Sequence, residues 1–187
     1  MRDETVARSY AETLFALAER NEGLETFGRG IGLVANLLEE DPQFRLFLET
    51  PRIADRDKKD VVRKAFADDL PKALVNFLLI TIDKRRQRLL RDIAAEFDAL
   101  VDEHMGREHV QVTLARSVDE ETTAMVASRL STMLGKQAIP HVRVDPAILG
   151  GIVVRTGDTI YDGSVRRRLE GMRRTLMKAH LPVGDEA

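Results

Sequence analysis

The stretch Val144–Leu176, VDPAILGGIVVRTGDTIYDGSVRRRLEGMRRTL, runs a glycine-punctuated hairpin directly into a basic amphipathic helix. Val153, Arg155, Thr159 and Tyr161 alternate with their neighbours at the period of two that strands require, and Thr156-Gly157-Asp158 supplies the tight turn between the two halves. Asp162-Gly163-Ser164 then breaks the strand. Asp162 or Ser164 offers a side-chain oxygen to a free N–H of the next helical turn, and Val165, Leu169, Met172 and Leu176 follow at spacings of four, three and four. That is one apolar stripe, read as burying against a small sheet. On the other faces Arg166, Arg167, Arg168, Arg173, Arg174 and Lys178 meet only Glu170, an excess of cation that fits an acidic partner.

Upstream of this stretch the pattern stays compatible with a small sheet as far back as Gly106. Val110, Val112 and Leu114 have the strand period; Ser117 with Glu120 reads as a capping box; Val118, Met125, Val126, Met133 and Leu134 line a helix that Gly135 ends; Val142–Val144 reads as a second strand. One helix between two strands predicts a short layer with that helix on one face.

Before Gly106 the spacing is helical throughout. Tyr10, Leu14 and Leu17 form one stripe, and Leu24, Phe27, Ile31, Val34 and Leu38 form another that Asp41-Pro42 ends. A short segment spans Phe44 to Leu48. Asp55 is the expected N-cap of a helix carrying Val61, Val62, Ala65 and Phe66, and Pro71 opens the next, Lys72 to Asp83, which has almost no polar face. Leu90, Ile93, Phe97, Leu100 and His104 mark a last long helix. The fold class is therefore α+β overall: an all-α bundle of about six helices over residues 1–105, then a small α+β domain over 106–187 with a short sheet, a hairpin and a C-terminal amphipathic helix. The tail after Pro182 reads as mobile.

Composition narrows the chemistry. The 187 residues contain no cysteine, which removes disulfides, thiolate nucleophiles and cysteine-based metal sites together. Apolar runs such as Leu14–Ala18 and Phe77–Ile80 are short and Asp3 and Glu4 lie near the start, so neither a membrane span nor a signal peptide is expected. Residues 1–105 carry 17 Lys and Arg against 21 Asp and Glu, and residues 106–187 carry 12 against 10. The basic excess belongs to the last helix alone.

Gly28, Gly30 and Gly32 imitate a nucleotide loop, but they lie inside a helical pattern with no Gly-Lys-Ser/Thr, and read as helix packing or a kink. His104, His109, His141 and His180 lack the spacing of a zinc site, and His104 and His109 read as solvated. No serine or carboxylate set forms a catalytic motif. The basic segment Asp83–Arg88 reads as a helix C-terminus, where cations meet the negative end of the dipole.

Gly150-Gly151 before an apolar strand, the Gly157-Asp158 turn and DGSVRRRLE (Asp162–Glu170) opening a helix occur together and in this order; with VARSYAETLFALA (Val6–Ala18) they resemble the delta subunit of bacterial F-type ATP synthases, a family related to the mitochondrial oligomycin-sensitivity-conferring protein. The resemblance covers nearly the whole chain. It implies a non-catalytic stator connector with no cofactor and no metal, an accessory subunit of a rotary proton-translocating ATP synthase. The N-terminal bundle would bind the N-terminal tail of an alpha subunit of the catalytic head, and the C-terminal domain the b (or b and b') subunits of the peripheral stalk. The protein would then be peripheral at the cytoplasmic face of the bacterial inner or intracytoplasmic membrane, attached only through the complex. By position the resemblance assigns Tyr10, Thr13, Leu14, Asn76 and Ile80 to the alpha-tail groove, with bundle core as the other reading of Leu14 and Ile80. It assigns Gly150, Gly151, Gly157, Asp158, Asp162, Gly163, Ser164, Val165, Arg166, Arg168, Leu169, Met172 and Leu176 to b-subunit docking or a structural signature. The alternative function is a nucleic-acid-binding module using the Arg-rich last helix, against which stand the overall acidity, the two tyrosines and the lack of tryptophan.

Overall fold

A computed structural model describes residues 2–21 and 23–178; His180 and the tail after Pro182 lie outside the described residues. The chain divides into two compact units, Met1–Met105 and Gly106–Ala187.

Among its described residues the first unit holds six α-helices: α1 (Arg2–Arg20), α2 (Leu24–Glu40), α3 (Pro42–Glu49), α4 (Asp55–Phe66), α5 (Lys72–Asp83) and α6 (Leu90–His104), with a 3₁₀ turn at Gln87–Leu89 before α6. The stripe that α1 buries is Ala7, Ala11, Leu14 and Ala18, whereas the larger Tyr10 and Leu17 sit half-buried beside it. Alanines let α1 lie close along α6, which leaves the bulky residues at the edge of the contact. Helix α2 buries Phe27, Ile31, Val34 and Leu38, each contributing roughly 1.5–3 kcal/mol by leaving water. Gly30 sits where Leu74 of α5 packs so closely that a Cβ would have no room. The GRGIGL glycines therefore lie within a helix, as its apolar pattern indicated.

Asp41 does more than end α2. Its Oδ1 accepts the N–H groups of Gln43 (2.8 Å) and Phe44 (3.1 Å), and Pro42 takes the first helical position, so the same dipeptide starts α3. Asp55 is not the N-cap of α4. Ala54 occupies that position without a side-chain bond, and Asp55 is the first helical residue, where a carboxylate favours the positive end of the dipole. Helix α5 buries Leu74, Val75, Phe77, Leu78, Thr81 and Ile82, but Ile80 is 53% exposed, so the helix has an open apolar face that its composition concealed.

The second unit is built from β1 (Arg107–Leu114), α7 (Glu120–Leu134), β2 (Gln137–Val144), β3 (Ile152–Thr156), β4 (Thr159–Asp162) and α8 (Val165–Lys178). The sheet order is β2-β1-β3-β4, with β1 and β2 parallel across the α7 crossover and the other pairs antiparallel. Val112 pairs with Val142 on one side and Val154 on the other. Val110, Val112, Ala138 and Val154 bury one face against Leu130 of α7, with Val126 and Leu134 partly buried beside it. Strand β2 starts at Gln137, ahead of the Val142 start read from alternation, because it is an edge strand and tolerates Pro140. The capping box does not form: α7 begins at Glu120, and its cap is Asp119, which accepts the N–H of Thr122 at 2.9 Å. Met125 and Met133, read as part of the buried stripe, are exposed. No helix of the described residues is long and apolar enough to cross a membrane.

Candidate partner-docking sites

In the first unit α1 and α5 flank a groove of about 500 Å³. Tyr10 and Thr13 line it from α1, and Asn76 and Ile80 from α5. Its floor is apolar: Tyr10 meets Phe77 edge-on, with ring centroids 6.1 Å apart. Thr13 turns its hydroxyl back to the Ser9 carbonyl at 2.9 Å, so the helix satisfies its own polar group. Four of the five assigned residues thus share one surface. Leu14 does not belong to it: it is 0% exposed and faces the bundle core. An amphipathic helix laid in this groove would bury the exposed part of Ile80.

The second unit has its own apolar groove, about 650 Å³, between α7 and the hairpin. Val126, Leu130 and Met133 form the helical wall and Ile152, Val154 and Tyr161 the strand wall. It exists because α7 lies mainly along β2, leaving Tyr161 of β4 exposed beside its buried partner Val154 of β3. Composition alone does not reveal it, because the residues come from three elements.

The signature glycines build the junction from hairpin to α8. Gly163 N–H donates to Ile152 O and Val165 N–H to Gly150 O, both at 2.9 Å. A Cβ at Gly151, whose φ is +79°, would collide with the Gly163 carbonyl oxygen. Ser164, buried, is the cap of α8: its Oγ accepts the N–H of Arg167 at 3.1 Å, while Asp162 Oδ1 accepts the N–H of Ser164 at 2.9 Å. Both oxygens considered from sequence are therefore used, in series. Gly157 and Asp158 form the two-residue hairpin turn between the paired Thr156 and Thr159. These residues aim α8.

Helix α8 itself is uncovered. Val165, Leu169, Met172 and Leu176 are all exposed, Leu176 by 71%, and no residue of the helix is buried. The stripe does not bury against the sheet as its spacing suggested: the main contact of α8 is with the Pro146–Ile148 turn. Arg166 pairs with Glu170 (3.1 Å) and Arg167 approaches Asp162 (3.7 Å), whereas Arg168 is simply exposed.

Three carboxylates of this unit are held below their ordinary range. Glu108 accepts the Thr156 hydroxyl (2.6 Å) and the Lys136 ammonium (2.9 Å), which tie β1 to β3 and to the loop before β2; Asp162 is held down by Ser164 and then Arg167, and Asp119 by Thr122. A carboxyl whose folded pKa is depressed adds stability that is present above its unfolded pKa and lost as pH falls through the folded value. The second unit is therefore expected to weaken as pH drops below about 4.5, the ordinary value for Glu108. Thermal unfolding of Glu108→Gln between about pH 7 and pH 3 should show a flatter acid limb than the wild type; an unchanged limb would remove Glu108 as a cause.

The structure also joins two histidines that lie 32 residues apart: His109 Nδ1 and His141 Nε2 are 2.7 Å apart with stacked rings. Only the parallel pairing of β1 with β2 brings them together, so no local spacing could reveal the pair. His104 is not merely solvated, since it meets Phe15 edge-on at 5.4 Å. Among the described residues no group of three or more potential metal ligands occurs.

The family model described as ATP synthase delta (OSCP) subunit matches residues 6–176. The chain is 44% identical over 173 residues to ATP synthase subunit delta of Gemmatimonas aurantiaca, covering 92% of this chain and 94% of the relative. It is 35% identical over 183 residues to ATP synthase subunit delta of Symbiobacterium thermophilum, covering 98% of each. A chain in the cryo-EM structure of the Toxoplasma gondii mitochondrial ATP synthase hexamer shares the fold, with a TM-score of 0.63, 23% identity and coverage of 94% of this chain and 98% of that one. The chain, with helices, junction and signature glycines in their expected order, belongs to the ATP synthase delta (OSCP) subunit family.

Proposed function

We propose that this non-catalytic subunit is the connector of the synthase stator, holding the catalytic head against the peripheral stalk. The α1/α5 groove takes the amphipathic N-terminal tail of an alpha subunit. The second unit takes the end of the b (or b and b') subunits through its apolar groove and α8. Its work is mechanical: the connector carries restoring torque, so that proton-driven rotation changes the conformation of the head instead of spinning it. This puts the chain at the cytoplasmic face of the bacterial inner or intracytoplasmic membrane, attached through the complex. The observation that carries the reading is one unfilled apolar docking surface in each unit of a chain whose family match spans both.

Calorimetry of the full chain with a synthetic alpha-subunit N-terminal peptide tests the first contact. Helix-in-groove docking is expected to give a negative heat-capacity change from apolar burial. Absence of binding by the folded chain would remove the groove assignment.

Salt separates the second contact from the nucleic-acid alternative. Exposed ion pairs are worth only about 0–1 kcal/mol, so a b-subunit peptide that buries the α8 stripe should lose little affinity between roughly 50 and 200 mM salt. An RNA neutralised by five arginines would lose affinity as about the fourth to fifth power of salt. Tight, salt-steep RNA binding without peptide binding would overturn the connector reading of this unit.

A further inference from the structure

A second kind of site lies in the first unit, where the α3–α4 connection meets the end of α5. A cavity of about 480 Å³ there is lined by Lys58, Arg85, Gln87, Arg88, Glu49 and Asp55. Lys58 is 1% exposed and lines this cavity. A lysine buried along its methylene stem brings its ammonium to such a space and offers it to a ligand there. Gln87 is pinned as part of the wall: its Nε2 donates to the Leu48 carbonyl at 3.0 Å, and its buried Oε1 has no partner.

Arg85 supplies an independent sign. It ends α5 at φ +56°, with its N–H on the Ile82 carbonyl and the next N–H on Thr81, the position where helices ordinarily place glycine. An arginine there strains the backbone, and strain of this kind clusters at binding sites. Its own carboxylate contacts do not explain it: Arg85 lies 3.9 Å from Asp55, and Arg88 3.8 Å from Asp3, both long and exposed.

We propose that this cavity binds a phosphate group. Lys58, Arg85 and Arg88 face its negative oxygens, Lys58 from the buried side. Glu49 and Asp55 line the same cavity, and they accept a hydrogen bond from a P–OH. Phosphate keeps such a proton near neutral pH, whereas sulfate has none to donate, so the two carboxylates select phosphate over sulfate by repulsion of the unprotonated ion. The cavity leaves room for a small ester as well as for the free ion. This site is separate from the α1/α5 groove and does not depend on either docking assignment.

The test is isothermal titration of the full chain with inorganic phosphate, sulfate and glycerol 3-phosphate, against chloride at matched ionic strength, together with thermal unfolding. Saturable phosphate binding is expected, with sulfate at least about tenfold weaker; the ester arm tells an ester ligand from the free ion. Lys58→Gln should weaken phosphate at least about tenfold, the scale of a lost charge-assisted hydrogen bond. Arg85→Gly should raise the unfolding midpoint in the absence of ligand while weakening phosphate, an opposition that a purely structural arginine would not produce. If Lys58→Gln fails to fold, Arg85→Gly decides alone. Phosphate heats equal to those of chloride, or wild-type binding by the folded variants, would overturn the site; sulfate binding equal to phosphate would overturn the role of Glu49 and Asp55.

Discussion

Ile80→Asp is expected to release the alpha-subunit tail from the connector while leaving the chain folded. Ile80 is 53% exposed on α5, so the isolated protein hydrates the new carboxylate and loses little stability. A helix seated in the groove removes that water. Burying an unpaired carboxylate then costs a few kcal/mol, and each 1.4 kcal/mol is tenfold, so affinity for the tail peptide should fall by about 100-fold or more. In the assembled synthase, ATP hydrolysis by the head should persist while proton-driven synthesis drops. Tyr10→Asp should act in the same direction, with a larger loss of stability because Tyr10 is half-buried against Phe77. Leu14→Ala is the contrast: it should destabilise the bundle by about 2–5 kcal/mol through a core cavity, without altering the groove-lining surface. Folded Ile80→Asp that binds the tail as well as the wild type would place the interface elsewhere.

Gly151→Val should unfold the second unit. The position combines φ +79° with a Cβ that would collide with the Gly163 carbonyl oxygen, so backbone strain of about 1–2 kcal/mol adds to a clash with backbone that cannot rotate away. The core it must overcome is small, five buried residues centred on Val112. Gly157→Ala isolates the first component, since φ is +51° there but the added methyl meets open space. It should cost about 1–2 kcal/mol and keep the fold. Circular dichroism and thermal unfolding of the two variants check this; equal, mild destabilisation of both would mean that the junction yields where the structure has it closed.

The elements that could be read from sequence are those whose signal is local. The two-residue turn at Gly157-Asp158, the helix opening after Asp162-Gly163-Ser164 and the stop at Gly135 are each written in a few adjacent residues, and the structure has them there. Caps were harder. Asp41, Asp55, Ser117 and Asp119 are all acceptable capping residues, and the choice among them depends on where tertiary packing lets each helix begin. Exposure was harder still: Ile80, Met133 and the α8 stripe have the same apolar spacing as Phe77, Leu130 and Leu14, and only the placement of neighbouring helices and strands separates docking surface from core. Alanine hid the true contact face of α1, because pattern reading follows large residues. Sites assembled from distant segments, such as the His109–His141 pair and the cavity around Lys58, left no local trace.

Coupling of the head to the stalk by this chain is tested most directly by reconstituting the synthase in vesicles with and without the chain and recording ATP hydrolysis and ATP-driven proton uptake together. Without it, hydrolysis should continue while proton uptake is lost, and adding the purified chain back should restore uptake. Full proton uptake in vesicles that lack the chain would contradict the account.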